Sequence, residues 1–192
     1  MGYRVFLLDI TRCIGCRSCE LACKSEYHLA EGQSFRRIYE VEWLTPEGLV
    51  VLYLSLACNH CEHPECFRVC PHRTYRKRRD GVVIHEAGRC DGCGRCVQAC
   101  PYKAPQFDQE RGKVDKCHFC YARLDAGLLP VCVEACPTGA LNLEEGERGL
   151  VDTVDKIPGL PDPILTGPSL RFRLSGRLKP LLNRPNILSS FL

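Results

Sequence analysis

Sixteen cysteines dominate the chemistry open to this 192-residue chain. They come in four groups of four: Cys13, Cys16, Cys19 and Cys23; Cys58, Cys61, Cys66 and Cys70; Cys90, Cys93, Cys96 and Cys100; Cys117, Cys120, Cys132 and Cys136. The third group is the plainest, a C-x2-C-x2-C-x3-C-P run from Cys90 to Pro101. Three thiols at i, i+3 and i+6 wrap a tight loop around an iron–sulfur cluster, and the fourth, one helical turn further on, points to a second. The proline ends that turn. Gly92 and Gly94 leave room for backbone N–H groups to approach the sulfurs. Four complete sets predict four [4Fe–4S] clusters, with packing around metal replacing part of an apolar core.

Two other uses of cysteine fit less well. A disulfide framework suits a secreted chain, but Val5-Phe6-Leu7-Leu8 is too short for a signal-peptide core and Asp9 follows it. Structural zinc usually pairs two C-x2-C knuckles, without a third cysteine at i+6 or a Cys-Pro ending. The formal charge of +3 (26 Lys and Arg over 23 Asp and Glu) counts thiols as neutral. Loaded with anionic clusters, the protein is near neutral or acidic, which weakens a nucleic-acid reading. No apolar run approaches the roughly 20 residues of a membrane span.

The elements that position these thiols follow from the flanking residues. Residues 3–10 read as a strand entering the first loop. No proline follows Cys23, so the helix through Glu20-Leu21-Ala22-Cys23 is expected to run on. Residues 35–44 and 49–56 form a β-hairpin across Thr45-Pro46-Glu47-Gly48, with Phe35, Arg37, Tyr39, Val41 and Trp43 on one face and Trp43 as packing. The second motif carries a two-residue insertion, with His63-Pro64 inside it. His60 and His118 lie inside complete cysteine sets and are read as second-shell or surface residues. Asp80-Gly81 before Val82-Val83-Ile84 signals another hairpin, its basic arm (Arg76-Lys77-Arg78-Arg79) a solvated face. The x11 spacer of the fourth motif reads as a helical excursion ending near Gly127 and Pro130. Arg12, Arg89 and Lys116 each precede a first cysteine, where a cation stabilises a reduced cluster. The last 43 residues hold no cysteine but 6 of the 13 prolines, with apolar residues between them. They read as an extended arm lying on a partner.

In two-cluster ferredoxins the fourth cysteine of each motif serves the other motif's cluster. Motifs two and three lie close enough to form one such pair, leaving motifs one and four as the outer pair. The expected ligand sets are therefore Cys13, Cys16, Cys19 and Cys136; Cys117, Cys120, Cys132 and Cys23; Cys58, Cys61, Cys66 and Cys100; and Cys90, Cys93, Cys96 and Cys70. The expected fold is α+β: two nested bacterial ferredoxin-like modules with a β-hairpin insertion and an extended C-terminal arm. The outer module takes residues 1–33 and 101–149, the hairpin 34–56, the inner module 57–100 and the arm 150–192. Four spaced centres in a row would conduct electrons. No catalytic residues are expected, because no Ser/His/Asp set, phosphate loop or open metal position competes with the cysteines.

The runs Cys13-Ile14-Gly15-Cys16-Arg17-Ser18-Cys19-Glu20-Leu21-Ala22-Cys23-Lys24, Ser34-Phe35-Arg36-Arg37-Ile38-Tyr39, Cys58-Asn59-His60-Cys61-Glu62, Cys100-Pro101-Tyr102-Lys103-Ala104-Pro105-Gln106 and Cys132-Val133-Glu134-Ala135-Cys136-Pro137 carry a resemblance over residues 3–145. The chain resembles the four-cluster iron–sulfur (beta) subunits of the dimethyl sulfoxide reductase family of molybdenum enzymes, whose relatives serve polysulfide, thiosulfate, tetrathionate, nitrite and formate systems. The resemblance implies an electron-transfer subunit in a complex with a molybdenum or tungsten pterin catalytic subunit and a multi-helix quinone-binding membrane subunit. The first cluster would face the former and the far inner cluster the latter. It further implies a peripheral place at the plasma membrane, the exported face favoured. Two other readings are a free-standing polyferredoxin and a zinc-based interaction module.

Overall fold

The computed structural model describes residues 2–45, 48–146, 150–176 and 178–183. Its central layer is a three-stranded sheet. Strand β1 (Tyr3–Asp9) pairs antiparallel with β8 (Leu141–Gly146) and parallel with β9 (Leu170–Arg173). Paired on both edges, β1 buries every residue from Val5 to Leu8, and Ile10 beyond it is also buried. Each fully buried apolar side chain there contributes about 1.5–3 kcal/mol. The pairing Leu8 to Leu141 draws the chain just after the fourth motif against the chain just before the first.

Helix α1 (Ser18–Glu26) carries Cys19 and Cys23 and runs for nine residues. The helices ending at a Cys-Pro step are shorter: α2 (Glu65–Arg68), α3 (Arg95–Ala99) and α5 (Val131–Glu134). The contrast follows from proline, which closes three of the four turns and is missing after Cys23. In the fourth motif, α4 (Tyr121–Asp125) fills the spacer, Gly127 turns with φ +75 and Pro130 caps α5.

Strands β2 (Arg37–Thr45) and β3 (Gly48–Leu56) pair antiparallel from Arg37–Leu56 to Thr45–Gly48. The turn residues Pro46 and Glu47 lie outside the described residues. Val41 and Trp43 are buried while Glu40 and Glu42 are exposed, so Trp43 is a packing residue. Two short hairpins complete the fold. One joins β4 (Tyr75–Lys77) to β5 (Val83–His85), and the other joins β6 (Gln106–Asp108) to β7 (Lys113–Asp115). The basic arm of the first is held by its own chain, with Arg78 gripping Asp125 at 2.5 and 2.8 Å and Arg76 lying 3.5 Å from Glu86.

The proline-rich segment departs from expectation. Described residues 150–176 dock on their own chain instead of standing away as an arm for a partner. Leu170, Phe172 and Leu174 are buried, Ile157 is fully buried, and Val154 bridges Phe172. The turn at residues 162–169 lies over the second motif: the backbone N–H groups of Glu62 and His63 donate to Gly167 (2.7 Å) and Thr166 (2.9 Å), and that of Ser169 donates to Asn59 (2.8 Å). Alternation of Leu170, Phe172 and Leu174 outweighs the surrounding prolines, because one strand's worth of apolar burial suffices to add an edge to β1. Pro185, Ile187 and Leu188 lie outside the described residues.

Candidate metal centres

Every motif loop is built on a left-handed residue placed before its second cysteine: Gly15 (φ 68), His60 (φ 43), Gly92 (φ 77) and Phe119 (φ 62). That bend turns backbone N–H groups inward, and Gly92 N lies 3.3 Å from Cys90 Sγ. At Gly92 the conformation is compulsory for a second reason: a Cβ would stand 2.2 Å from the Gly112 carbonyl oxygen. The Cys-Pro turns repeat a second bend, three residues after the fourth cysteine, at Arg73, Lys103 and Gly139. It points amides at the fourth sulfur, with Leu141 N at 3.4 Å from Cys136 Sγ and Thr74 N at 3.5 Å from Cys70 Sγ. At both sulfurs burial raises the thiol pKa, yet these amides and the Thr138 and Thr74 hydroxyls outweigh it and hold it below the usual value.

The folded chain gathers cysteines across motifs. Cys136 lines a cavity with Cys13, Cys16 and Cys19. Cys100 lines another with Cys58, Cys61 and Cys66, and Thr166 completes its wall. Cys23 has Cys132 and Cys120 as electrostatic neighbours, and Cys117 has Cys23 and Cys120. Cys96 has Cys90 and Cys70. Cys93 is exposed at the rim of its loop. Electrostatic neighbours also cross between groups: Cys19 with Cys132, Cys117 with Cys58, and Tyr75 with both Cys96 and Cys66.

Burial pushes the Cys23 and Cys61 thiols up to about 12, and Cys117 well above its ordinary value, with neighbouring thiols adding to the effect. Without a cation these thiols hold their protons, so iron must displace them on binding. Among the described residues no three His, Cys, Asp or Glu side chains close on a point fit for a single ion. The thiols of two sets line voids, and an all-sulfur donor set around a void suits an iron–sulfur cube.

His60 is fully buried and remains neutral: burial and nearby Lys116 depress its pKa, and its Nδ1 accepts the Val83 N–H at 3.0 Å. His118 is pushed down to about 4 by burial and Lys116 and meets Tyr27 edge to face. Of the three cations preceding a first cysteine, Arg12 and Arg89 are exposed and Lys116 is fully buried. Two contributors escaped the sequence reading. Thr166 had no local signal, whereas buried Arg36 sits in the run Phe35-Arg36-Arg37, where nothing distinguishes it from half-exposed Arg37.

Among the described residues no helix is long and apolar enough to cross a membrane. A family model described as a 4Fe-4S dicluster domain matches residues 49–146, and a 4Fe-4S binding domain matches residues 10–27. The chain is 40% identical to the probable anaerobic dimethyl sulfoxide reductase chain YnfG of Escherichia coli, over 91% of this chain and 90% of that one. It is 39% identical to the formate dehydrogenase iron-sulfur subunit of Wolinella succinogenes, over 71% and 78% respectively. It is also 39% identical to the thiosulfate reductase electron transfer subunit of Salmonella typhi, over 74% and 78%. With its cysteine loops and thiol-lined voids, the chain belongs to the iron–sulfur electron-transfer subunits of the dimethyl sulfoxide reductase family of molybdenum enzymes.

Proposed function

We propose that the chain carries four [4Fe–4S] clusters and relays electrons between a quinone-linked membrane subunit and a molybdenum or tungsten pterin catalytic subunit. The ligand sets are Cys13, Cys16, Cys19 with Cys136; Cys117, Cys120, Cys132 with Cys23; Cys58, Cys61, Cys66 with Cys100; and Cys90, Cys93, Cys96 with Cys70. Two nested ferredoxin-like modules would hold them, the outer from motifs one and four and the inner from motifs two and three. The observation that carries this reading is the cavity that Cys136 shares with Cys13, Cys16 and Cys19, 117 residues or more away along the chain. Thiol adjacency from Cys19 to Cys132, from Cys117 to Cys58, and through Tyr75 from Cys66 to Cys96 supports a single row. Bound clusters supply one-electron storage. The chain supplies spacing, sulfur ligands and hydrogen bonds to them.

The complex would sit at the plasma membrane through its membrane partner, on the exported face. Dimethyl sulfoxide reduction is the substrate system that the 40% identity to chain YnfG favours. The deciding assay uses an assembled Cys96→Ser complex. Quinol-linked turnover should nearly vanish, because a broken row cannot conduct, while turnover with a small dye that reaches the catalytic subunit directly should survive. Equal loss in both assays would make the clusters assembly elements, and unchanged quinol turnover would refute the relay.

A further inference from the structure

Arg36 is a cation buried to 2% exposure with an incomplete set of partners. Its Nη1 donates to the Ser55 carbonyl at 3.2 Å and to the Ser55 hydroxyl at 3.0 Å. Its guanidinium carbon lies 4.5 Å from the centre of the Phe6 ring. Nε and Nη2, both buried, meet no acceptor at hydrogen-bond geometry. No carboxylate is paired with it among the described residues. An uncompensated guanidinium in a dry interior is strongly destabilising, so a negative charge must enter its surroundings in the working protein.

Among the described residues the anionic candidates named around it are sulfurs. Burial opposes the charge on Arg36, and the sulfurs of Cys132, Cys117 and Cys19, when ionised, outweigh burial and favour its protonated form. Ser55 links the same network to Cys19, its hydroxyl lying 3.4 Å from Cys19 Sγ. The other buried cation of the row differs in kind. Lys116 donates its amine to the carbonyls of Val83 (2.5 Å) and Cys117 (2.9 Å), so two of its three donors are spent on backbone.

We propose that Arg36 is the shared counter-cation of the first and second clusters, its unspent N–H donors directed at the sulfurs of the second. This rests on the ligand sets given above. A charge at that junction stabilises the reduced state of both clusters and raises both potentials, so electrons cross it without a deep trap on either side.

The test is a redox titration of the intact complex followed by paramagnetic resonance, with Arg36→Gln and Arg36→Lys beside the wild type. In Arg36→Gln, reduction of the first two clusters should become about tenfold less favourable, a fall of about 59 mV for one electron. The other two clusters should not move, and Arg36→Lys should restore most of the loss. A second readout uses wild-type complex labelled with arginine carrying 15N in its guanidinium alone: pulsed resonance should show nitrogen coupled to a reduced cluster, and Arg36→Lys should remove that coupling. Unchanged potentials in Arg36→Gln, or an equal shift in all four, overturn the proposal. If Arg36→Gln fails to retain clusters, the labelled pair decides: absence of coupling in wild type, or its persistence in Arg36→Lys, overturns it. Failure of the ligand sets has a separate signature, the loss of two clusters instead of one in a Cys13→Ser/Cys136→Ser variant that keeps Arg36.

Discussion

His60 and Phe119 hold equivalent places in two different motifs, and their rings meet edge to face with centroids 4.9 Å apart. Each precedes the second cysteine of its loop, where the other two motifs have glycine, and each adopts a positive φ. Bulky residues in that conformation cost roughly 1–2 kcal/mol apiece. The cost is offset by what the rings join: Phe119 stacks on Phe6 at 3.9 Å, and His60 takes the Val83 amide. The two strained positions thereby tie the fourth loop to the central sheet through Phe6, and the second loop to Phe119 and to β5.

Phe119→Ala should accordingly lower stability by roughly 3–5 kcal/mol, the usual cost of emptying an aromatic site. Phe119→Gly relieves the backbone and should recover only about 1 kcal/mol of that. Urea titration of the loaded protein, followed by the brown cluster absorbance, checks both. A Phe119→Gly protein as stable as wild type would mean that the ring contributes no packing.

Much of this was legible in the sequence because it is short-range. Cysteine spacing encodes the loops directly, and the missing proline after Cys23 predicts the longer α1. Alternation around Trp43 places it inside. What stayed hidden depends on tertiary neighbours. Arg36 and Arg37 are adjacent and chemically identical, and burial of the first follows from Phe6 and Ser55, which lie far along the chain. The strand at Leu170–Arg173 was masked by proline density, although its own alternation was a usable signal.

That strand changes the outcome expected for truncation. Deleting residues 158–192 removes an edge of the central sheet and takes away Thr166, which walls the cavity that Cys61 lines and partly offsets the burial that raises its thiol pKa. Iron content should fall and the signal of the site holding Cys58, Cys61, Cys66 and Cys100 should be lost or altered. Thr166→Val is the gentler version: iron should stay and only that signal should move. A truncated chain with full iron content would show that the segment is dispensable.

Acidity gives a further check on the iron-free, reduced chain. Cys23 and Cys61 have folded values near 12 against an ordinary 9.0, raised chiefly by burial. Below 9.0 the thiols are protonated in both states and folding bears no ionisation penalty. As pH climbs from 9.0 toward 12, the unfolded thiols ionise first and pull the equilibrium toward unfolding. The urea midpoint of the iron-free chain should therefore fall across that window, and a flat or rising profile would contradict the burial of these thiols.

The decisive question for the proposed ligand sets is whether Cys136 serves the first motif or its own. Leu141 N lies 3.4 Å from the Cys136 sulfur, and the cavity behind it holds Cys13, Cys16 and Cys19. Cys136→Ser alone should cost or convert one cluster and leave the rest. A single loss cannot separate the two arrangements, because either way one cluster goes. The double variant Cys13→Ser/Cys136→Ser can. If the two cysteines share a cluster, the second substitution adds nothing, and iron content and resonance spectra match those of the worse single variant. If each motif closes on its own cysteines, the double variant loses two clusters. Iron and acid-labile sulfide per chain, measured on the three variants, distinguish one lost cube from two.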